Sequence, residues 1–131
     1  MNKKIILSTG GTGGHIFPMI ALYDYLISKN YDVSFVTDQR GEKYFIDDTK
    51  YNIKIFNINS PSNQKGLSKI ISIFQLFTST IHSLFFLIKS RPKVIIGSGG
   101  YASFPILMAG YILNINILTY ETNTILGRTN K

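Results

Sequence analysis

The 131-residue chain contains no cysteine, which excludes a disulfide scaffold, a thiolate metal site and a thiol nucleophile. Only two histidines are present, His15 and His82, too few for a structural zinc site. Charged residues are scarce at 16% against 44% hydrophobic, and the mean hydropathy is +0.11. A disordered chain has the opposite balance, low hydrophobicity and high charge. Acids are missing altogether from Thr49–Tyr120, since all seven of the chain's carboxylates (Asp24, Asp32, Asp38, Glu42, Asp47, Asp48 and Glu121) lie outside it. That segment holds Lys50, Lys54, Lys65, Lys69, Lys89, Arg91 and Lys93, and so accounts for the whole net charge of +7. An unbroken basic block points to an anionic partner, whether nucleic acid, phosphorylated substrate or anionic lipid. Long apolar runs are also absent near the start: Ile5–Leu7 is too short for a secretory signal, and glycines follow it. Ile70–Ile88 approaches the length of a membrane span, but Ser72, Gln75, Thr78, Ser79, Thr80, His82 and Ser83 interrupt it. The chain reads as cytosolic.

What is present is an alternation of short β-rich runs and helical stretches. Strands are expected at Lys4–Thr9, Val33–Thr37, Ile53–Ile58, Lys93–Gly97 and Asn116–Tyr120. Helices are expected at Pro18–Lys29, with Pro18 in the first turn, near Glu42–Asp48, at Leu67–Lys89 and at Phe104–Leu113. Asn59–Gly66 reads as a loop, and Glu121–Lys131 as a loop entering a further helix. Near-continuous apolar strands alternating with helices imply an α/β fold, a parallel sheet covered on both faces. Ligands of such folds bind at the carboxyl ends of the strands. Three segments fall there: Gly10–His15, Gly97–Ser103 and Glu121–Asn123.

Gly10-Gly11-Thr12-Gly13-Gly14-His15 follows a strand and opens a helix, where bare backbone and free N–H groups suit a phosphate. It is no P-loop, because no Lys-Ser/Thr pair follows, and it misses the dinucleotide fingerprint, whose third glycine falls at Ile16. His15 stands at the mouth of that loop, where a neutral imidazole can serve as a base. Gly97-Ser98-Gly99-Gly100-Tyr101 occupies the equivalent place after the fourth strand. Two such loops on one sheet edge fit a diphosphate or two phosphorylated ligands; a pair of tight turns is the plainer alternative. Glu121 and Asn123 close the third segment, as orienting groups or as a helix cap.

In the long helix, Ile70, Ile73, Phe74, Phe77, Ile81, Leu84, Phe85 and Ile88 recur at i, i+3, i+4, i+7 spacing, a stripe expected to pack on the core. Ile71, Leu76, Phe86 and Leu87 lie off that stripe. With Lys65, Lys69, Lys89, Arg91 and Lys93 at the two ends, the surplus apolar surface resembles one that rests on anionic lipid. Lys65, Lys69, Phe74, Phe77, Lys89 and Arg91 are the candidate membrane contacts. A nucleic-acid partner is not expected, because interleaved surface aromatics on strands are lacking.

The motifs GGTGGH at Gly10–His15, GSGGYASFP at Gly97–Pro105 and YETNTILGRTNK at Tyr120–Lys131 resemble, in order and spacing, the MurG family. These bacterial N-acetylglucosaminyltransferases complete the lipid-linked peptidoglycan precursor. Pro18 also falls where the family's HxxP pattern places it. The resemblance implies a GT-B fold of two Rossmann-like domains, of which residues 1–131 are most of the N-terminal, acceptor-side domain. It implies that Thr12, Gly13, Gly14 and Asn123 touch the donor UDP-N-acetylglucosamine, and that His15 is the base for the acceptor hydroxyl. Gly99, Gly100, Tyr101 and Glu121 then hold the acceptor, an undecaprenyl-diphosphate-linked muropeptide. Implied too are an inverting, metal-independent reaction without a cofactor and a peripheral location on the cytoplasmic face of the inner membrane. The family's His-Glu-Gln-Asn reads here Tyr120-Glu121-Thr122-Asn123. With the donor-binding domain outside these residues and the end at Lys131 inside an expected helix, the chain reads as truncated and inactive alone. A reading from another class is a non-catalytic, membrane-anchoring, acceptor-binding subunit of a split transferase.

Overall fold

The computed structural model describes residues 3–45, 49–56 and 66–121. Its frame is a five-stranded, all-parallel sheet in the order β3-β2-β1-β4-β5. The strands are β1 (Lys4–Ser8), β2 (Asp32–Asp38), β3 (Ile53–Phe56), β4 (Val94–Gly97) and β5 (Asn116–Thr119). The helices are α1 (Gly13–Ser28), α2 (Gln39–Glu42), α3 (Leu67–Ser90) and α4 (Phe104–Ile112). β1 lies at the centre, with Ile5 in register with Val33 of β2 and Val94 of β4.

Alternation along β1 builds both layers of the core, because successive side chains leave opposite faces of a strand. Ile5 and Leu7 join Val33, Phe35 and Phe45 under α1, whose Ile16, Met19, Tyr23 and Leu26 are buried against them. Ile6 joins Val36 and Ile95 under α4 and the end of α3, through Ile106, Leu107, Ala109 and Leu87. Burial on both faces explains why these strands read as apolar runs.

Two helix boundaries differ from expectation. α1 begins at Gly13 rather than Pro18, with extended Thr12 as N-cap, so the glycine motif supplies the first helical turn and Pro18 lies inside the helix. Proline cannot donate to the carbonyl four residues back, which leaves the Gly14 carbonyl without its helical hydrogen bond. α2 is a short turn at Gln39–Glu42, so it starts ahead of the helix expected near Glu42–Asp48 and does not continue through residues 43–45; the Asp38 carboxylate caps it by accepting from the Gly41 N–H at 2.8 Å. Residues 46–48, 57 and 58 lie outside the described residues.

The largest correction concerns α3. Seven of the eight residues of its apolar stripe are exposed, from 37% at Ile81 to 68% at Phe85, and Leu84 is half-buried. The inward face is instead Ser72, Ser79, Ser83 and Leu87, and α3 packs along α4. Small serine side chains let two helices approach closely, whereas a row of isoleucine and phenylalanine holds them apart. The Ser83 hydroxyl donates to the Ser79 carbonyl at 2.7 Å, so its burial leaves no unpaired donor. Of the off-stripe residues, Leu87 is core and Phe86 packs against it, while Ile71 is exposed. α3 is also long and apolar enough to cross a membrane by length and composition, with mean hydropathy 1.7 over its best 18 residues.

Candidate functional site

The parallel topology places the segments after β1, β4 and β5 side by side at the carboxyl edge of the sheet. Gly10–His15, Gly97–Ser103 and Glu121 therefore meet there, as expected from the strand pattern. The two glycine loops are interlocked. A Cβ on Gly10 would collide with the Ala102 side chain and stand 2.9 Å from Asp38 Oδ1, so only glycine permits this approach. The Ser98 hydroxyl donates to the Thr9 hydroxyl at 2.8 Å, and the Ser98 N–H to the Ser8 carbonyl at 2.9 Å. The Ser103 hydroxyl lies 3.0 Å from the Ser8 carbonyl and 2.9 Å from that of Gly99, sharing its one proton between them. Thr9, Ser98 and Ser103 are fully buried, which makes these hydroxyls a polar seam between the loops. Gly99 and Gly100 are both left-handed, with φ of 86° and 78°, a pair of conformations that glycine adopts without cost.

A third element was not anticipated. Asp38, at the end of β2, is 1% exposed, and its carboxylate accepts from four N–H groups. Oδ1 receives the Gly41 N–H at 2.8 Å and the Gly11 N–H at 3.3 Å. Oδ2 receives Arg40 Nε and Nη2, each at 3.0 Å. One carboxylate thus fixes the first glycine loop, the α2 turn and an arginine. A buried charge is tolerable only when paired and hydrogen-bonded in this way. An acid at the end of the second strand is where a dinucleotide fold would bind a ribose, but these four bonds commit Asp38 to the protein.

The opening turn of α1 is suited to an anion. Thr12 makes no side-chain cap, the first turn carries no acid, and the N–H groups of Gly13 and Gly14 have no partner among the described residues. Such N–H groups and the helix dipole favour negative charge. The space at the two glycines differs. A Cβ on Gly13 would press on the rings of Phe17 at 2.8 Å and Tyr44 at 3.1 Å. A Cβ on Gly14 would meet, among the described residues, only Thr12 Oγ1 at 4.0 Å. Packing explains the first glycine and leaves the second unexplained by the fold. His15 is half-buried at the same turn, and its Nδ1 is buried with no hydrogen-bond partner among the described residues. Nε2 is therefore the nitrogen that can reach a ligand.

Of the remaining candidates, Tyr101 is half-buried beside the second loop, and Glu121 follows β5 at the same edge. Asn123 and Lys65 lie outside the described residues. Lys69 and Lys89 are exposed on α3, and Arg91 closes its C-terminus in the left-handed conformation, φ 45°. Phe74 and Phe77 are exposed on the outward stripe, 65% and 63%. A groove of about 480 Å³ lies between α1 and β4–β5 and reaches the carboxyl edge of the sheet, lined by Pro18, Met19, Leu22, Leu118, Thr119 and Tyr120 among others. Its described lining is mostly apolar, with Thr119 and Tyr120 as its hydroxyl-bearing residues and no charged side chain.

Fold and site together define a parallel α/β domain with an anion-receptive sheet edge. The model of the glycosyltransferase family 28 N-terminal domain matches residues 5–131, and the chain belongs to that family. It is 42% identical, over all 131 residues, to the UDP-N-acetylglucosamine--N-acetylmuramyl-(pentapeptide) pyrophosphoryl-undecaprenol N-acetylglucosamine transferase of Pelagibacter ubique, and covers 36% of that protein. The like-named transferase of the Wolbachia of Brugia malayi is 39% identical over 97% of this chain, which covers 35% of it. Among solved structures, MurG of Acinetobacter baumannii superposes with a TM-score of 0.82 at 25% identity, over 98% of this chain and 37% of that one. The chain thus spans about a third of the length of the relatives it matches.

Proposed function

We propose that this chain is the acceptor-side domain of a peptidoglycan N-acetylglucosaminyltransferase, which takes the sugar from UDP-N-acetylglucosamine and passes it to undecaprenyl-diphosphoryl-N-acetylmuramoyl-pentapeptide. The observation that carries this reading is the interlock of two glycine loops at one sheet edge, in a chain 42% identical throughout to a transferase of that name. The acceptor diphosphate lies along Gly99, Gly100 and Tyr101, with Glu121 beside it. Thr12, Gly13, Gly14 and Asn123 face the donor, whose other contacts come from a second domain. His15 Nε2 takes the proton of the acceptor hydroxyl as that oxygen bonds to the anomeric carbon. The carbon–oxygen bond to UDP breaks on the opposite side, UDP leaves with the electron pair, and the configuration inverts. No metal or cofactor takes part.

The same reading assigns the outward stripe of α3 to the cytoplasmic face of the inner membrane. α3 is 24 residues long, about 36 Å at 1.5 Å per residue. Lys69 stands near one end, Lys89 and Arg91 at the other, so a helix lying flat puts all three at the headgroups. Its serine face, held by α4, is not available to lipid. Each base near an anionic surface contributes about 1 kcal/mol, and the inserted side chains add about 25 cal/mol per Å² of buried apolar area. Co-sedimentation with vesicles tests both halves. Binding to anionic vesicles, weakened by salt and strengthened when the lipid-linked acceptor is included, is expected. Equal pelleting with neutral and anionic vesicles, or none, overturns the membrane assignment. Indifference to the acceptor overturns the substrate assignment.

A further inference from the structure

The geometry points to Arg40 as a phosphate-binding residue at the first glycine loop, preset there by Asp38. The inference rests on the reading of the loops as a diphosphate site and adds a cation to it. An exposed arginine paired with an exposed acid is ordinarily worth little. Here the acid is buried and immobile, because Gly41 and Gly11 N–H groups hold its other oxygen. The Arg40 side chain is 58% exposed, so the pair presents its guanidinium outward from a fixed base.

Nε and one N–H of Nη2 serve Asp38 Oδ2. Of the five N–H donors of a guanidinium, three remain. They stand beside the loop: a Cβ on Gly11 would come within 3.9 Å of Arg40 Nη2. Gly11 is left-handed, φ 85°, and a methyl group there would already touch Nη2, so the guanidinium lies close against the loop backbone. The free N–H groups of Gly13 and Gly14 begin two residues further on. A phosphate at the mouth of this loop is met by backbone donors on one side and by a planar fork on the other. Lysine cannot replace such a fork, since one ammonium cannot both hold Asp38 through two directed bonds and offer a second pair to the ligand.

The test is calorimetric titration of the chain with inorganic diphosphate and with UDP, the diphosphate of the donor that this loop is proposed to face, run alongside thermal melting. Arg40→Gln is expected to weaken both by about tenfold or more, the loss of a charge-assisted hydrogen bond. Arg40→Lys should recover only part of that loss. Lys29→Gln, at the far end of α1, should bind as the wild type does. Because Arg40→Gln leaves the Asp38 charge buried, Asp38→Asn/Arg40→Gln restores neutrality and is expected to bind as weakly while melting higher. Wild-type affinity in either folded variant overturns the role of Arg40. If the wild type binds neither probe, the diphosphate reading of the loops falls, and this inference with it. If Gly14→Ala abolishes binding and Arg40→Gln does not, the loops stand and only the arginine is wrong.

Discussion

Gly14→Ala separates what the fold needs from what a ligand needs. Gly14 is the second residue of α1, is exposed, and has room for a methyl group, whose nearest neighbour would be Thr12 Oγ1 at 4.0 Å. Among the described residues nothing opposes the change, and alanine restricts the unfolded chain more than glycine. The variant should therefore gain stability, about 0.5 kcal/mol and at most about 1 kcal/mol. For a chain of 131 residues that is a rise in Tm of roughly 2–5 °C. The same methyl group projects over the N–H groups that are proposed to meet a phosphate. Holding the ligand back from one such bond costs about 1.5 kcal/mol or more, a loss of affinity beyond tenfold. A thermal melt of the chain gives the first quantity. Titration with diphosphate, and KM for UDP-N-acetylglucosamine in a fusion to the C-terminal part of the Pelagibacter ubique relative, give the second. A variant that melts higher and binds as before refutes the claim that the loop admits a ligand at Gly14. One that melts lower refutes the claim that the fold leaves that position free.

Other outcomes follow from the same geometry. His15→Ala in that fusion should lower turnover by about 10²–10⁴-fold with donor affinity nearly unchanged, as measured by steady-state kinetics. Phe74→Ser with Phe77→Ser should abolish vesicle binding and leave the melting temperature close to wild type, because both rings are already in solvent. Ser83→Leu, by contrast, forces a large side chain between α3 and α4 and should cost about 1–3 kcal/mol by urea unfolding. Asp38→Ala strands the Gly41 and Gly11 N–H groups and removes the α2 cap, a loss of about 2–4 kcal/mol in the same assay.

The sheet was legible because its strands are short apolar runs closed by glycine, and because parallel strands bring the loops after them to one edge. That rule alone brings Gly10–His15, Gly97–Ser103 and Glu121 to one edge. The orientation of α3 was not legible. Periodicity shows that Ile70 through Ile88 share a face, but the rule that an apolar face points inward presumes that its partner belongs to the same chain. The serines at 72, 79 and 83 carried the opposite signal, a smooth face for close helix packing. Nor did local pattern foretell the seam from Thr9 to Ser98, a hydrogen bond between residues 89 positions apart. The start of α1 is hidden in the sequence because proline favours a first turn, whereas Thr12 and two glycines open the helix ahead of it. Asp38 and Arg40 do not stand out in the sequence, although an acid closing the second strand is a recognisable position in such sheets. Their signal is weak without the knowledge that Asp38 is buried.

Transfer of labelled N-acetylglucosamine tests the central claim most directly. The chain, fused to the C-terminal part of the Pelagibacter ubique relative, is incubated with labelled UDP-N-acetylglucosamine and a lipid-linked muramoyl-pentapeptide acceptor. Label passing into the lipid product, and lost in His15→Ala, is the predicted result. A folded fusion that binds the donor yet leaves the acceptor unlabelled contradicts the assignment of this sheet edge as the acceptor site.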